Sequence, residues 1–258
     1  RKAVEAAKEL GLFAIVTDAA GQNCACADIA DLVIRADIYD AAAHITAIDS
    51  LRKQYSIKGV FTEGADCEVT VAACAGHLGL PGISVEKAMD CKNKARMREL
   101  FAWSSQRQDL NLSIPHYETA HATESSYYFC KTRYPIIVKP VDNCASRGMS
   151  IVPDAAFLAP AIAKACRYSS TGTALLEKQF ELASECSAEI IFNREGIWYP
   201  VAITERLFKW PLIEGGLVCP PRYPQDQQDA IYDLVALVAK VIGIKFGVFK
   251  CDIGITPD

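Results

Sequence analysis

Ile137-Val138-Lys139-Pro140-Val141-Asp142-Asn143-Cys144-Ala145-Ser146-Arg147-Gly148-Met149 decides how the chain is read. An apolar run from Tyr134 ends at Lys139-Pro140, a polar turn follows over Asp142 to Gly148, and Met149-Ser150-Ile151-Val152 resumes the apolar pattern. Two strands around a polar turn predict a β-hairpin. A lysine at the end of such a strand is costly to bury without a partner. Ser146, Arg147 and Gly148 bring a hydroxyl, a guanidinium and backbone donors to the same turn. That combination suits a polyphosphate, because one lysine–phosphate pair at about 4 Å and an effective dielectric of ~20 gains on the order of 4 kcal/mol before desolvation. The alternative is an ordinary hairpin turn whose lysine lays its stem along apolar surface.

Working outward, Leu175-Leu176-Glu177-Lys178-Gln179-Phe180 places a carboxylate, a cation and an aromatic ring at the end of another strand. Backbone groups there can read adenine while Phe180 covers its edge, and Glu185 is placed to take ribose hydroxyls. Asp252 is the one acid within Val248-Phe249-Lys250-Cys251-Asp252-Ile253. Magnesium prefers a few carboxylates plus phosphate oxygens; a strand acid can equally face solvent or pair with Lys250 on the same side of the strand.

The remaining chain alternates strands and helices. Val4, Ala7 and Leu10 recur at helical spacing before Gly11. Leu12–Val16, Ala30–Ile34 and Gly59–Thr62 read as strands, and Ala41–Tyr55 and Cys67–His77 as helices, which predicts a parallel sheet with covering helices. Opening on a helix leads us to expect that a first strand and glycine turn precede Arg1. Beyond residue 90 come a basic helix (Lys92–Ser104), an extended stretch (Ile114–Thr119), a helix (Phe157–Cys166) and an antiparallel pair (Ala188–Phe192 with Trp198–Thr204). An apolar helix (Ala230–Ile242) and a last strand (Gly247–Ile255) close the chain. Ile203 to Gly216 reads as a loop rich in charge and aromatic residues, with no internal repeat anywhere. His44, His77, His116 and His121 lack ligand spacing and read as helix-end or surface residues.

Composition removes several classes. The 258 residues are 51% hydrophobic and 22% charged, enough apolar content for a sizeable core and unlike a disordered tail. A net charge of −4 argues against broad capture of nucleic acid. No apolar run approaches the roughly 20 residues of a membrane span, and the charged amphipathic start is not a signal peptide. The eleven cysteines contain no C-x-x-C, so zinc-ribbon and thioredoxin readings fail. Reduced thiols in a cytoplasmic protein fit better than a disulfide scaffold. No Walker loop and no G-x-G-x-x-G is present, so dinucleotide binding is unsupported.

Taken in order, these residues resemble the ATP-grasp superfamily over nearly the whole chain, most closely its carbamoyl-phosphate-synthase-like and carboxylate–amine ligase types. The resemblance implies an α/β fold: a parallel-sheet pre-ATP-grasp domain over 1–86, then an α+β ATP-grasp core over 87–258 with a mobile lid at about 118–179. Gly79-Leu80-Pro81-Gly82 matches the first domain's habit. Cys91-Lys92-Asn93-Lys94 is similar to the helix start carrying the first nucleotide lysine, so that role falls on Lys94. Lys139 matches the second lysine and Asn143–Gly148 the glycine-rich lid loop, with Cys144-Ala145 where glycine is usual. ATP contacts are thereby implied for Ser146, Arg147, Gly148, Met149, Glu177, Lys178, Phe180 and Glu185, and a magnesium carboxylate for Asp252. The family's second metal carboxylate, its asparagine and a catalytic arginine come after the position of Asp258, so the chain ending there is expected to bind ATP incompletely and not to turn over.

The activity implied is ATP-dependent ligation, with ATP and Mg2+ as cofactors. A small-molecule carboxylate becomes an acyl phosphate and an amine displaces the phosphate. Arg206 and Glu214 are candidates for substrate contact, and a homodimer is a possible assembly. Biotin-carboxylase-like carboxylation is the alternative enzyme. A nucleotide-binding module without catalysis, and a redox sensor using Cys144 or Cys251, are the readings from other classes.

Overall fold

A computed structural model describes residues 1–107, 114–122, 134–210 and 213–257. Residues 123–133 of the expected lid, Cys130 among them, lie outside the described set. The chain divides into two compact units, Arg1–Ala88 and Met89–Asp258.

The first unit contains α1 (Lys2–Glu9), β1 (Ile15–Asp18), β2 (Leu32–Arg35), α2 (Ala41–Leu51) and α3 (Glu68–His77). β1 and β2 pair in parallel, from Ile15 against Leu32 to Asp18 against Arg35. Asp40 starts α2 by accepting the Ala43 amide at 2.9 Å, the usual service of an aspartate N-cap. Two expectations need correction here. Among the described residues Gly59–Thr62 pairs with no strand; it lines the wall of a 410 Å³ cavity that also touches Val16, Ile34 and Ile48. His44 is not a surface residue; it is buried in α2, with Nδ1 2.7 Å from the Asp40 carbonyl and Nε2 2.9 Å from the Thr17 hydroxyl.

α4 (Val85–Lys92) runs across the division between the units and α5 (Lys94–Arg107) follows. The second unit holds two antiparallel four-stranded sheets. One is made of β3 (Tyr117–His121), β4 (Ile136–Pro140), β5 (Ser150–Val152) and β6 (Thr173–Lys178), in the order β3-β6-β4-β5. The expected hairpin is β4 with β5, Ile136 standing opposite Val152. Alternation gives this sheet two faces. Ile136, Val138, Val152 and Leu176 form a core with Leu158, Ile162 and Ala165 of α6 (Leu158–Tyr168). Leu175 and Val141 pack with Ala95 of α5.

The other sheet comprises β7 (Ser184–Phe192), β8 (Trp198–Trp210), β9 (Ile213–Val218) and β10 (Gly247–Ile255), ordered β10-β7-β8-β9. α7 (Gln225–Ile242) contacts β7, β8 and β10, and buries Ile231, Val235, Ala239 and Ile242. The helix stops at Gly243, whose φ of 91° suits a residue without Cβ. The segment read as a loop, Ile203 to Gly216, is instead most of a β-hairpin: β8 continues to Trp210 and pairs with β9, Arg206 opposite Leu217 and Phe208 opposite Glu214. Register shifts beside Phe208 break the period-2 pattern that marks a strand.

Ile162 is 1% exposed at the centre of the α6 core. Ile162→Ala should destabilise the second unit by about 2–5 kcal/mol, read as a lower midpoint in denaturant unfolding with little change in slope.

Candidate functional site

Register builds the first constellation. In the β4–β6 pairing Ile137 faces Glu177 and Lys139 faces Leu175, so Lys139 and Glu177 are diagonal neighbours on one face. Their side chains form an ion pair, and Arg98 Nε of α5 donates to the other Glu177 oxygen at 2.6 Å. Burial alone would raise the Glu177 carboxyl, but its neighbours Lys139 and Arg98 outweigh it and hold the group below the usual carboxylate range. Lys94 opens α5; its amide donates to the Val141 carbonyl at 2.8 Å and its Nζ to the Asn143 carbonyl at 2.5 Å. Burial first and then the nearby Lys139 charge lower the Lys94 ammonium. Arg98 closes the Cys91–Arg98 stretch that resembles the family's helix start, but no role falls on it there. Its one signal is the Lys94-x-x-x-Arg98 spacing, which places two cations on one helix face.

The turn between β4 and β5 is held by its own side chains. Asn143 Oδ1 accepts from the Cys144 amide at 2.8 Å and from Arg147 Nε at 3.0 Å, while its Nδ2 donates to the Tyr168 carbonyl at 2.6 Å. An Arg147 Nη2 lies 2.7 Å from the Cys144 sulfur. Ala145 and Ser146 adopt left-handed φ of 53° and 56°, a conformation uncommon outside glycine. Gly148 has φ 76°, and a Cβ there would lie 2.6 Å from Tyr168 Cβ. Ser146 and Arg147 are exposed on this turn. Met149 is half-buried, its carbonyl accepting from Lys164 at 2.8 Å. At the end of β6, Lys178 Nζ sits 5.3 Å from the centre of the Phe180 ring, itself 40% exposed. The Lys178 amide is committed to the His116 carbonyl at 3.2 Å.

A second constellation stands on the other sheet. Pairing sets Glu185 opposite Arg206 and Asp252 opposite Ser187. One Arg206 amine, Nη1, lies 3.2 Å from Asp252 Oδ2 and 3.6 Å from Glu185 Oε2; its Nε donates to Glu214 Oε2 at 2.8 Å. The guanidinium also lies 5.2 Å from the Phe208 ring centre. Asp252 Oδ1 accepts from Ser187 Oγ at 2.6 Å, with Lys250 Nζ 3.9 Å away. Burial raises the Glu185 carboxyl; Arg206 opposes this, and the charges of Asp252 and Glu214 add to the rise. Glu185, Arg206, Glu214 and Asp252, spread over 68 positions of sequence, are thus one cluster. Its oxygen donors are three carboxylates and the Ser187 hydroxyl, hard groups of the kind magnesium takes together with phosphate oxygens. Among the described residues no group of three His, Cys, Asp or Glu is arranged to hold a metal by itself.

No family model matches the chain. In solved structures it is similar to an L-amino acid ligase from Bacillus licheniformis, with a TM-score of 0.80 and 20% identity, over 99% of this chain and 60% of that one. It is also similar to the biotin carboxylase domain of 2-oxoglutarate carboxylase from Hydrogenobacter thermophilus, a dimer in complex with MgADP and bicarbonate (TM-score 0.75, 15% identity, 99% of this chain and 58% of that one). The chain has the ATP-grasp fold. By sequence it is 24% identical over 204 residues to the carbamoyl phosphate synthase large chain of Kocuria rhizophila, covering 77% of this chain and 18% of that protein. The chain therefore spans about three fifths of the solved chains named and under a fifth of the synthase chain.

In this fold the Glu177 ion pairs tie β6 to β4 and α5. Because the folded carboxyl titrates below its unfolded value, the stabilisation is present above about pH 4.3, the ordinary glutamate value. It is lost as the pH falls through the lower folded value. Glu177→Gln, which leaves two cations without their charge partner, should cost about 3–5 kcal/mol at neutral pH. The gap from wild type should close in acid; denaturant unfolding across the pH range checks both statements.

Gly148→Ala tests the turn separately. Positive φ and the Tyr168 contact should together lower stability by more than the roughly 1 kcal/mol of a simple backbone penalty, seen as a reduced melting temperature.

Proposed function

We propose that the second unit binds Mg-ATP and takes part in ATP-dependent ligation of a small-molecule carboxylate to an amine. Lys94 carries this reading. It is a half-buried ammonium beside a second lysine, and its hydrogen-bond partner is a neutral backbone carbonyl of the 142–148 turn, while the acids near it, Asp142 and Glu177, are engaged by Ser170 and by Lys139 and Arg98. Triphosphate oxygens would complete it. Lys139 would share the phosphates while Glu177 and Arg98 hold its stem in place. Ser146, Arg147 and the amides around Gly148 would close over them as a lid of about residues 118–179. The ring of Phe180, with Lys178 and Met149, would flank adenine, and Glu185 would take the ribose.

Magnesium at Asp252 would neutralise phosphate oxygens when bound. The chain's own residues position and neutralise. The carboxylate substrate attacks the terminal phosphoryl group, ADP leaves, and the amine then attacks the acyl carbon and expels phosphate. Arg206 and Glu214 would meet a charged group of the substrate. The ligase reading is supported by the fold shared with the Bacillus enzyme and by the ordered set of charged residues. A reducing, cytoplasmic setting is part of this reading, and no helix among the described residues is long and apolar enough to cross a membrane.

Lys139→Ala should weaken ATP binding about ten- to a hundredfold, the equivalent of one charge-assisted contact of roughly 1.5–3 kcal/mol. Calorimetry on protein whose folded state is verified measures it, and unchanged affinity would sink the assignment. Bound phosphate should also return the lowered Lys94 ammonium toward its ordinary value of about 10.4. ATP binding at alkaline pH should therefore take up protons, visible as binding heats that vary with the buffer's ionisation enthalpy.

A further inference from the structure

Arg206 has more carboxylate neighbours than its charge can balance. Glu185, Glu214 and Asp252 surround it, and Lys250 is the other cation of the cluster, so two positive charges face three negative ones. The cluster as it stands has room for further positive charge. Yet the Asp252 oxygen that would receive it, Oδ2, is the one Arg206 Nη1 holds at 3.2 Å, while Oδ1 is held by Ser187.

The guanidinium is divided between two sides. Nη1 serves Asp252 and Glu185; Nε serves Glu214 at 2.8 Å, and Phe208 lies under the plane at 5.2 Å. Giving up the Nη1 contacts therefore leaves the Nε bond and the ring contact in place. Both anchors come from the β8–β9 hairpin, Phe208 and Glu214 being a cross-strand pair. Arg206 is 20% exposed but the Asp252 carboxylate is 55% exposed, so water partly screens the contact that Arg206 gives up.

We infer that Arg206 is the resident counter-cation of the metal carboxylate, competing with the divalent ion for Asp252 and resting on Glu214 and Phe208 when the ion is bound. The inference rests on Asp252 being a metal ligand. Arg206 acts here as a positioning residue. It keeps Asp252 oriented in the absence of metal, and it sets metal affinity low enough that a metal–nucleotide complex, with its own phosphate oxygens, is favoured over the bare ion.

The test is titration of the 258-residue chain with Mn2+ alone, reading free Mn2+ by electron paramagnetic resonance, with melting temperature measured on every variant. Arg206→Gln should tighten Mn2+ about tenfold. Lys250→Gln removes an equal charge from beside the same carboxylate without removing a competing close contact, and should tighten it at least threefold less. Equal effects of the two variants would reduce Arg206 to a general field and overturn the inference, as would unchanged or weaker binding in Arg206→Gln. If Arg206→Gln does not melt cooperatively, Arg206→Lys takes its place, with tightening expected in the same direction and its absence counting against the inference. Asp252→Asn separates the two levels. Mn2+ affinity that ignores Asp252→Asn, or no Mn2+ binding in any variant, overturns the metal assignment and the inference with it. Binding that needs Asp252 but is not tightened by Arg206→Gln overturns the inference alone.

Discussion

The carboxylate of Glu177 is buried, and a buried charge persists only when it is paired. Two cations from different elements meet it: Lys139 from the neighbouring strand and Arg98 from α5. That requirement joins β6, β4 and α5 directionally, which the non-directional apolar contact among Ala95, Val141 and Leu175 does not do. With α5 seated, Lys94 at its first turn reaches the carbonyl of Asn143. The turn of residues 142–148 is then oriented by the helix that begins beside it.

The second unit carries two charge clusters of opposite composition. On the sheet of β3 to β6, one carboxylate is held among cations, and Lys94 meets only a neutral carbonyl by hydrogen bond. On the sheet of β7 to β10, one guanidinium is held among three carboxylates. The first is complementary to an anion, the second to a cation. A polyphosphate with a divalent metal presents both kinds of charge in one ligand, which is why the proposed function uses both clusters.

Much of this was legible in the residues. Alternation in Ile136 to Pro140 and Ser150 to Val152, with a polar turn between, specified the hairpin. Lys139 and Glu177 stood out as charges at strand ends and Asp252 as the acid of an apolar strand, while Glu185 was singled out by its distance beyond Phe180 and by the family resemblance. Other features were illegible for physical reasons. Arg98 lies in the basic first turns of α5, two residues from Arg96, so nothing in the sequence separates it from Arg96, which pairs with Asp90 and Glu99. β9 was hidden because Gly215, Gly216 and the register shifts beside Phe208 obscure its period. Gly59–Thr62 has the composition of a strand, yet a strand exists only where a neighbouring edge accepts its hydrogen bonds.

The sequence by itself determined the class of most elements, the stop at Gly11, and the residue types available for chemistry. These follow from local sterics and from hydrophobic periodicity, which act over a few residues. Only the tertiary structure decided the partners. Glu177 meets Lys139 because β4 and β6 pair in one register and not the next, and a slip of one residue would put the two charges on opposite faces. Arg206 meets Asp252 across 46 positions because β7 stands between β8 and β10 and carries Ser187 and Glu185 at matching levels. Electrostatic energy depends on distances of a few ångströms, and such distances between remote segments are set by strand order and register.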